Sequence, residues 1–301
     1  MYFFEPQHKY YKKNLGDYEY ISASGVIKKY EYEFDQEYWS LYKAYEFLLY
    51  KENVDNNIVL DTYLQTKPKE PKDYFRPYKK GYDSGDYKLF GHLRMYADEN
   101  AAKRIQNIIL KSWEKTNINS LVKGSDYHSE RELKALSSEL IRNPFTNNIL
   151  PIIPNSKWIT PDIKERTVDL ANLKPGYYPE MILDFEMFCG QADKLWFEDI
   201  GRSQLGFWID DYKTNAKLNF ENIYQNMKDP INHLHDCNWN HYRIQLSLYI
   251  WILIQYGYHY MGSKLTHSIE DNGKWTRIDY PFDYLEKEIT DIVSDVRLNT
   301  L

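Results

Sequence analysis

Cysteine is almost missing from this chain: Cys189 and Cys237 are the only two in 301 residues. Two thiols cannot supply the four thiolates of an iron–sulfur cluster or a cysteine-rich zinc site. Nor do they make a disulfide framework, so a reducing compartment is expected. Long hydrophobic runs are lacking too. The longest, Leu246 to Tyr256, is too short to span a bilayer and reads as a buried helix. The opening Met-Tyr-Phe-Phe-Glu-Pro has no basic region followed by an apolar stretch, so no signal peptide is expected. A soluble, cytoplasmic protein with no membrane partner follows as the expectation. There is no internal repeat and no low-complexity tract. An excess of positive charge is absent as well, the formal net charge being −6. That argues against a protein that coats nucleic acid with its whole surface. It leaves room for an enzyme with a locally basic groove and acids gathered around metal.

Tyrosine is what the chain has in abundance, with 29 residues in a sequence that is 17% aromatic. Tyrosine-rich surfaces can stack bases, although the plainer reading is that these rings fill half-buried positions. Residues 8–22 read as a hairpin around Asn14-Leu-Gly-Asp17. Ser22 or Ser24 then caps a helix to about Tyr32. Asp35 to Lys51 is a second helix, with Tyr38, Tyr42, Tyr45 and Leu49 at helical spacing. The stretch 65–90 reads as loop. In it Lys67, Lys69, Lys72, Arg76, Lys79 and Lys80 outnumber Glu70 and Asp73, as either a phosphate-contacting patch or a solvated loop.

Ala97 to Lys115 is an amphipathic helix with Ala102, Ile105, Ile109 and Trp113 on one stripe, and another helix is expected over about Tyr127 to Arg142. Pro151, Pro154, Pro161 and Pro175 break the following segment into loops. Strands are expected at about 180–188, 191–198 and 206–213, then a helix at about 239–257. Strands at 263–269 and 274–280 flank the turn signal Asp271-Asn-Gly273, and a last helix covers about 283–297. This order predicts an α/β protein with a mixed central sheet flanked by helices. An N-terminal hairpin and helical elaboration over 1–97 precedes a core over 98–301.

The run Gly206-Phe-Trp-Ile-Asp-Asp-Tyr-Lys213 is apolar and ends in charge. Strand alternation puts Phe207, Ile209, Asp211 and Lys213 on one face. A carboxylate and an ammonium at a strand end can hold a divalent metal beside a charge-stabilising amine, as phosphodiester hydrolysis requires. A surface ion pair has the same pattern. Acid-x-Lys occurs five times, at Glu70/Lys72, Asp86/Lys88, Glu132/Lys134, Asp162/Lys164 and Asp211/Lys213. Only the last ends an apolar run of strand type, so context selects it.

Asp193, in Gly190-Gln-Ala-Asp193, shares a strand face with Leu195 and Phe197. A hairpin across 199–205 brings it to Asp211, and two carboxylates suit Mg²⁺ or Mn²⁺. The plain alternative is a surface acid flanking a turn. Gln245 and Tyr249 stand one helical turn apart in an apolar helix, either beside the catalytic strand or as a satisfied core pair. His128 can offer a ring nitrogen to the metal, with Glu132, one turn on, as its orienting partner or an outer ligand. It can equally be structural.

This ordered set resembles the RecB-like branch of the PD-(D/E)XK nucleases: a His on the first core helix, Gly-x-x-Asp, Asp-x-Lys, then Gln-x-x-x-Tyr. That branch includes the spacer-trimming CRISPR-associated nuclease, the mitochondrial genome-maintenance exonuclease and many phage exonucleases. The motifs fall at His128, Gly190 to Asp193, Asp211 to Lys213, and Gln245 to Tyr249, and the likeness covers about 110 to 300. Tyr20-Ile-Ser-Ala-Ser24 and Trp39-Ser-Leu-Tyr-Lys-Ala44 also look like the N-terminal region of phage members.

The resemblance implies a restriction-endonuclease-like core with Asp193 and Asp211 as ligands of Mg²⁺ or Mn²⁺. It gives Lys213 a place in catalysis, and His128 a place in the metal site. Glu180 resembles an acid near some family sites. With two cysteines the chain looks like the type without an iron–sulfur cluster. A DNA exonuclease of recombination, repair or replication is thus expected, in the host cytoplasm if phage-encoded. Its partners would be a single- or double-stranded DNA end and a recombination or single-strand-binding protein. The rivals are a silent nuclease fold that binds DNA or a partner without cutting, and a restriction-type endonuclease.

Overall fold

The computed structural model describes residues 1–7, 9–12, 20–66, 98–271 and 274–300. Strands β1 (Tyr2–Phe4), β2 (Lys9–Tyr11) and β3 (Ile21–Ser22) lead into helix α1 (Ala23–Tyr30). Helices α2 (Gln36–Asn53), α3 (Leu60–Thr66) and α4 (Glu99–Leu136) follow. Short strands β4 (Leu140–Arg142), β5 (Ile149–Pro151), β6 (Ser156–Thr160) and β7 (Ile163–Arg166) precede three long ones, β8 (Gly176–Phe185), β9 (Phe188–Gly201) and β10 (Gln204–Lys213). Then come α5 (Asn238–Gln255), β11 (His259–Asp271), β12 (Lys274–Pro281) and α6 (Glu286–Thr300).

The main sheet is mixed, in an α/β chain. Strands β8, β9 and β10 run antiparallel, β10 pairs β11 in parallel, and β12 returns antiparallel on β11. Strand β3 joins the start of β9 in parallel through Ile21↔Phe188 and Ser22↔Cys189. A hairpin cannot connect parallel neighbours, so the chain leaves β10, crosses the sheet as α5 and re-enters as β11. Helix α5 is apolar nearly all round, as a helix covered on several sides must be. Its Ile244, Leu248 and Ile252 share one core with Leu195, Phe197, Phe207 and Ile209 of the sheet. Val26 and Ile27 of α1 and Ile289, Ile292 and Val296 of α6 close that core from the flanks. A second sheet has the order β2-β1-β7-β6, and β4 pairs β5 alone. No helix among the described residues is long and apolar enough to cross a membrane.

By contacts the chain divides into Met1–Tyr32 with Val122–Leu301, and Glu33–Leu121. A division at 97/98 does not describe this, because the first 32 residues bring β3 to the central sheet and α1 to its core helix. Within Glu33–Leu121, Tyr42, Ala44 and Tyr45 of α2 pack on Ala102 and Ile109 of α4, with Ile105 and Trp113 beside them. The stripe expected there is the one buried.

Three local expectations change. The two helices expected over 97–115 and 127–142 are one helix, Glu99–Leu136, and Leu140–Arg142 is a strand instead. No proline interrupts 116–126, and a mid-helix glycine such as Gly124 costs only about 1 kcal/mol. The proline-broken segment holds strands β6 and β7, since Pro161 occupies the turn between them and neither ladder needs its missing N–H. Finally, the N-terminal hairpin pairs Tyr2–Phe4 with Lys9–Tyr11. Asn14–Asp17, the basic stretch from Lys67 to Lys80 and Asn272-Gly273 lie outside the described residues. Of the two serines expected to cap the first helix, Ser22 does so, accepting from the Gly25 N–H. Asp35, expected as the start of the next helix, caps it by accepting from the Tyr38 N–H.

Candidate metal centre

Register builds the site. Strand β10 pairs β9 through Ile209↔Leu195 and Asp210↔Lys194, so Asp211 comes next opposite Asp193. On the other side of β9, Pro179↔Lys194 and Met181↔Ala192 bracket Glu180, which also stands opposite Asp193. Three acids thus form one row across three neighbouring strands. Each is buried, Asp211 to 1%, Asp193 to 7% and Glu180 to 8% exposure. Glu180 has φ 48, a left-handed backbone in mid-strand. For a residue with a side chain this costs about 1–3 kcal/mol and persists where the surroundings enforce it.

His128 enters from α4. Its Nδ1 lies 3.3 Å from Asp193 Oδ2 and 3.4 Å from Glu180 Oε1. One ligand atom from each of His128, Glu180 and Asp193 can be chosen so that all three lie within 4.8 Å of one another, and this group can hold a metal ion. Gln191 Nε2 donates to the other oxygen of Glu180 at 2.8 Å, and the Tyr212 N–H donates to Asp193 Oδ2 at 2.6 Å. These bonds orient the carboxylates from outside. Burial depresses the His128 imidazole, but Asp193 and Glu180 outweigh it and raise its pKa to about 11.

Asp211 faces the lysine. Its Oδ2 lies 2.5 Å from Lys213 Nζ. Burial, and then the charge of Asp193, push Asp211 up to about 6. Asp211 lies outside the His128–Glu180–Asp193 group, and its charge is matched by the Lys213 ammonium. Lys213 is the opposite case. Burial works against its charge, but Asp211 and Asp193 prevail and hold it above the ordinary lysine range. Gln245 Oε1 accepts from Lys213 Nζ at 3.3 Å, and Gln245 Nε2 donates to the Tyr249 hydroxyl at 3.1 Å. The helical pair therefore reaches the strand lysine directly.

Gly190 explains how Tyr249 fits. A Cβ at this position would lie 2.2 Å from Tyr249 Cε1, so the ring occupies the space a side chain would take. Gly190→Ala is expected to lower stability by roughly 1–3 kcal/mol through overpacking, read by urea unfolding. Unchanged stability would show that the ring has another place to go.

Of the residues expected at the site, His128, Glu180, Asp193, Asp211, Lys213, Gln245 and Tyr249 come together. Glu132 does not. Its carboxylate accepts from Lys164 Nζ at 2.7 Å, in a pair whose lysine side chain is 4% exposed. Helical spacing placed Glu132 near His128, but a buried ammonium claims it. Glu132→Gln is expected to leave metal affinity unchanged in calorimetry while costing about 3–5 kcal/mol of stability, because Lys164 is left buried and unpaired. A loss of metal affinity with stability intact would restore Glu132 as a ligand. Two contributors went unforeseen. Gln191 bonds Glu180, and the Tyr242 ring lies 4.7 Å from Lys213 Nζ. Tyr242 was open to discovery, being three residues before Gln245 on the same helix. Comparison with protein-family models, curated proteins and solved structures gave no match.

Proposed function

We propose that this chain is a Mg²⁺- or Mn²⁺-dependent DNA nuclease, an exonuclease that hydrolyses phosphodiester bonds at DNA ends. The observation that carries the reading is the row Glu180–Asp193–Asp211 with His128 at one end and the Asp211–Lys213–Gln245 contacts at the other. The ordered resemblance to RecB-like nucleases supports it. Asp193 and Asp211 would hold the ion, with His128 and Glu180 completing the donor set. A carboxylate-dominated set favours Mg²⁺ or Mn²⁺. When bound, such an ion supplies an acidified water and neutralises charge on the scissile phosphate.

The protein's own groups do the rest. Asp211 and Asp193 hold Lys213 above the ordinary lysine range, which favours the ammonium form. It places a fixed positive charge where the attacked phosphate gains negative charge. Gln245 fixes that ammonium on one side and Asp211 on the other. Tyr249 locks Gln245 through a hydrogen bond, and its ring is held against Gly190. Gln191 and the Tyr212 N–H keep Glu180 and Asp193 aimed at each other's neighbourhood.

The test is cleavage of end-labelled single- and double-stranded DNA, linear and circular, with Mg²⁺ or Mn²⁺. Progressive shortening from ends supports the proposal. Cutting of closed circles favours a restriction-type endonuclease, and binding without cleavage under every divalent ion favours a silent module. Metal binding should also strengthen with pH. With His128 held at about 11 and Asp211 at about 6, the incoming ion displaces protons. Mn²⁺ calorimetry in buffers of different ionisation enthalpy is expected to show proton release and tighter binding at about pH 8 than at about pH 6. Affinity independent of pH would remove His128 from the ligand set.

A further inference from the structure

The acids of the metal centre and the residues beside them in sequence point to opposite faces of β9 and β10. On the second face lies a cleft of about 540 Å³, within the range of small-molecule sites. Its lining includes six cationic side chains, Arg131, Lys134, Arg142, Lys194, Lys264 and Arg277, against two carboxylates, Asp210 and Asp279. The carboxylates are already taken. Lys194 pairs with Asp210, Lys264 bonds Asp279 at 2.5 Å, and the Thr266 hydroxyl lies 2.8 Å from Asp210 and 2.9 Å from Asp279. Arg131, Lys134, Arg142 and Arg277 make no ion pair among the described residues. The cleft is therefore locally cationic in a chain of net charge −6.

A second observation points the same way. Trp196 lines the cleft at 2% exposure, and its indole N–H has no acceptor among the described residues. The buried Nε–H of Arg131 likewise has no acceptor among the described residues. Indole and guanidinium donate and never accept, and a buried donor without a partner costs about 1–3 kcal/mol. These two donors, unlike Lys194 and Lys264, find no acceptor among the described residues.

We propose that this cleft binds a phosphorylated ligand of nucleotide size, its phosphate oxygens accepting from Arg131, Trp196 and the cations at the rim. A phosphate offers several acceptor oxygens and full negative charge, the match for guanidinium groups. The volume exceeds what an isolated phosphate ion fills and leaves room for an attached sugar and base. The ligand is either a free nucleotide or the terminal nucleotide of a strand. The site does not require the metal centre to cleave anything.

The experiment is calorimetry on the full chain in EDTA, so that no metal takes part. The probes are dTMP, thymidine and short oligothymidylates with or without a 5′-phosphate. dTMP and the phosphorylated oligonucleotide are expected to bind, more weakly as salt rises, with thymidine at least tenfold weaker. Arg131→Ala combined with Arg277→Ala is expected to weaken binding tenfold or more with Tm and circular dichroism retained, whereas Asp211→Asn leaves it unchanged. Equal affinity for dTMP and the phosphorylated oligonucleotide assigns the site to a free nucleotide. Tenfold tighter oligonucleotide binding assigns it to a strand end. Binding of thymidine as tight as dTMP, no phosphate-dependent binding, or full binding by the folded double variant overturns the proposal. DNA cleavage without nucleotide binding leaves the nuclease reading standing alone, and nucleotide binding without cleavage leaves this one.

Discussion

Asp211→Asn is expected to reduce metal-dependent DNA cleavage by on the order of 10³-fold or more, with the fold intact. The magnitude follows from the several kcal/mol that a bound metal contributes at a phosphoryl centre, at about 1.4 kcal/mol per decade of rate. The substitution keeps the side chain's size while removing the charge beside Lys213 and opposite Asp193. Two readouts separate its effects. Mn²⁺ affinity should fall in calorimetry, and circular dichroism should not change. Undiminished cleavage by a folded Asp211→Asn protein would sink the nuclease assignment, whatever the DNA offered.

The neighbouring acid should behave in the opposite way. Asp210→Ala is expected to cost about 3–5 kcal/mol of stability, because it leaves the Lys194 ammonium buried without its partner. Lys194 is held above the ordinary lysine range. Desolvation opposes its charge, but Asp210 and Tyr212 more than compensate. The Thr266 hydroxyl also loses an acceptor. Urea unfolding reads the change. Mn²⁺ affinity at the other face should survive wherever the variant is folded. A cost below about 1 kcal/mol, the range of an exposed ion pair, would show that water reaches Lys194. Two adjacent aspartates would then differ in nature, one serving chemistry and the other stability, according to the face each occupies.

That contrast shows how far local pattern reaches. Alternation along 206–213 separated Asp211 from Asp210, and the apolar character of the run distinguished it from other acid-x-Lys pairs. Among the described residues, one member from each of two other pairs meets the other, as Lys164 bonds Glu132. Neither that bond nor its burial is visible in a three-residue pattern. Helical spacing linked Gln245 to Tyr249 correctly, and the same rule linked His128 to Glu132, whose carboxylate bonds Lys164 instead. Spacing states which side chains share a helix face. It does not state what lies opposite that face. Glu180 shows this most clearly, since its place beside His128 depends on β8 registering against β9 and on a strained φ. The single long helix over Glu99–Leu136 was missed for a related reason, because its middle carries no continuous apolar stripe and contains Gly124.

By itself the amino-acid sequence determined the mixed α/β character, the faces of the strand ending in Lys213, and the helical pair Gln245 and Tyr249. These follow from backbone periodicities of two and 3.6 residues, which are local properties of the chain. Only the tertiary structure decided that Glu180 joins His128 and Asp193, that Glu132 leaves for Lys164, and that Tyr249 fills the space at Gly190. It alone gathered cations from α4, β4, β9, β11 and β12 around the Trp196 N–H, which has no acceptor among the described residues. Each of these depends on contacts between residues distant in sequence, set by strand register and by which buried charge or donor finds a partner first.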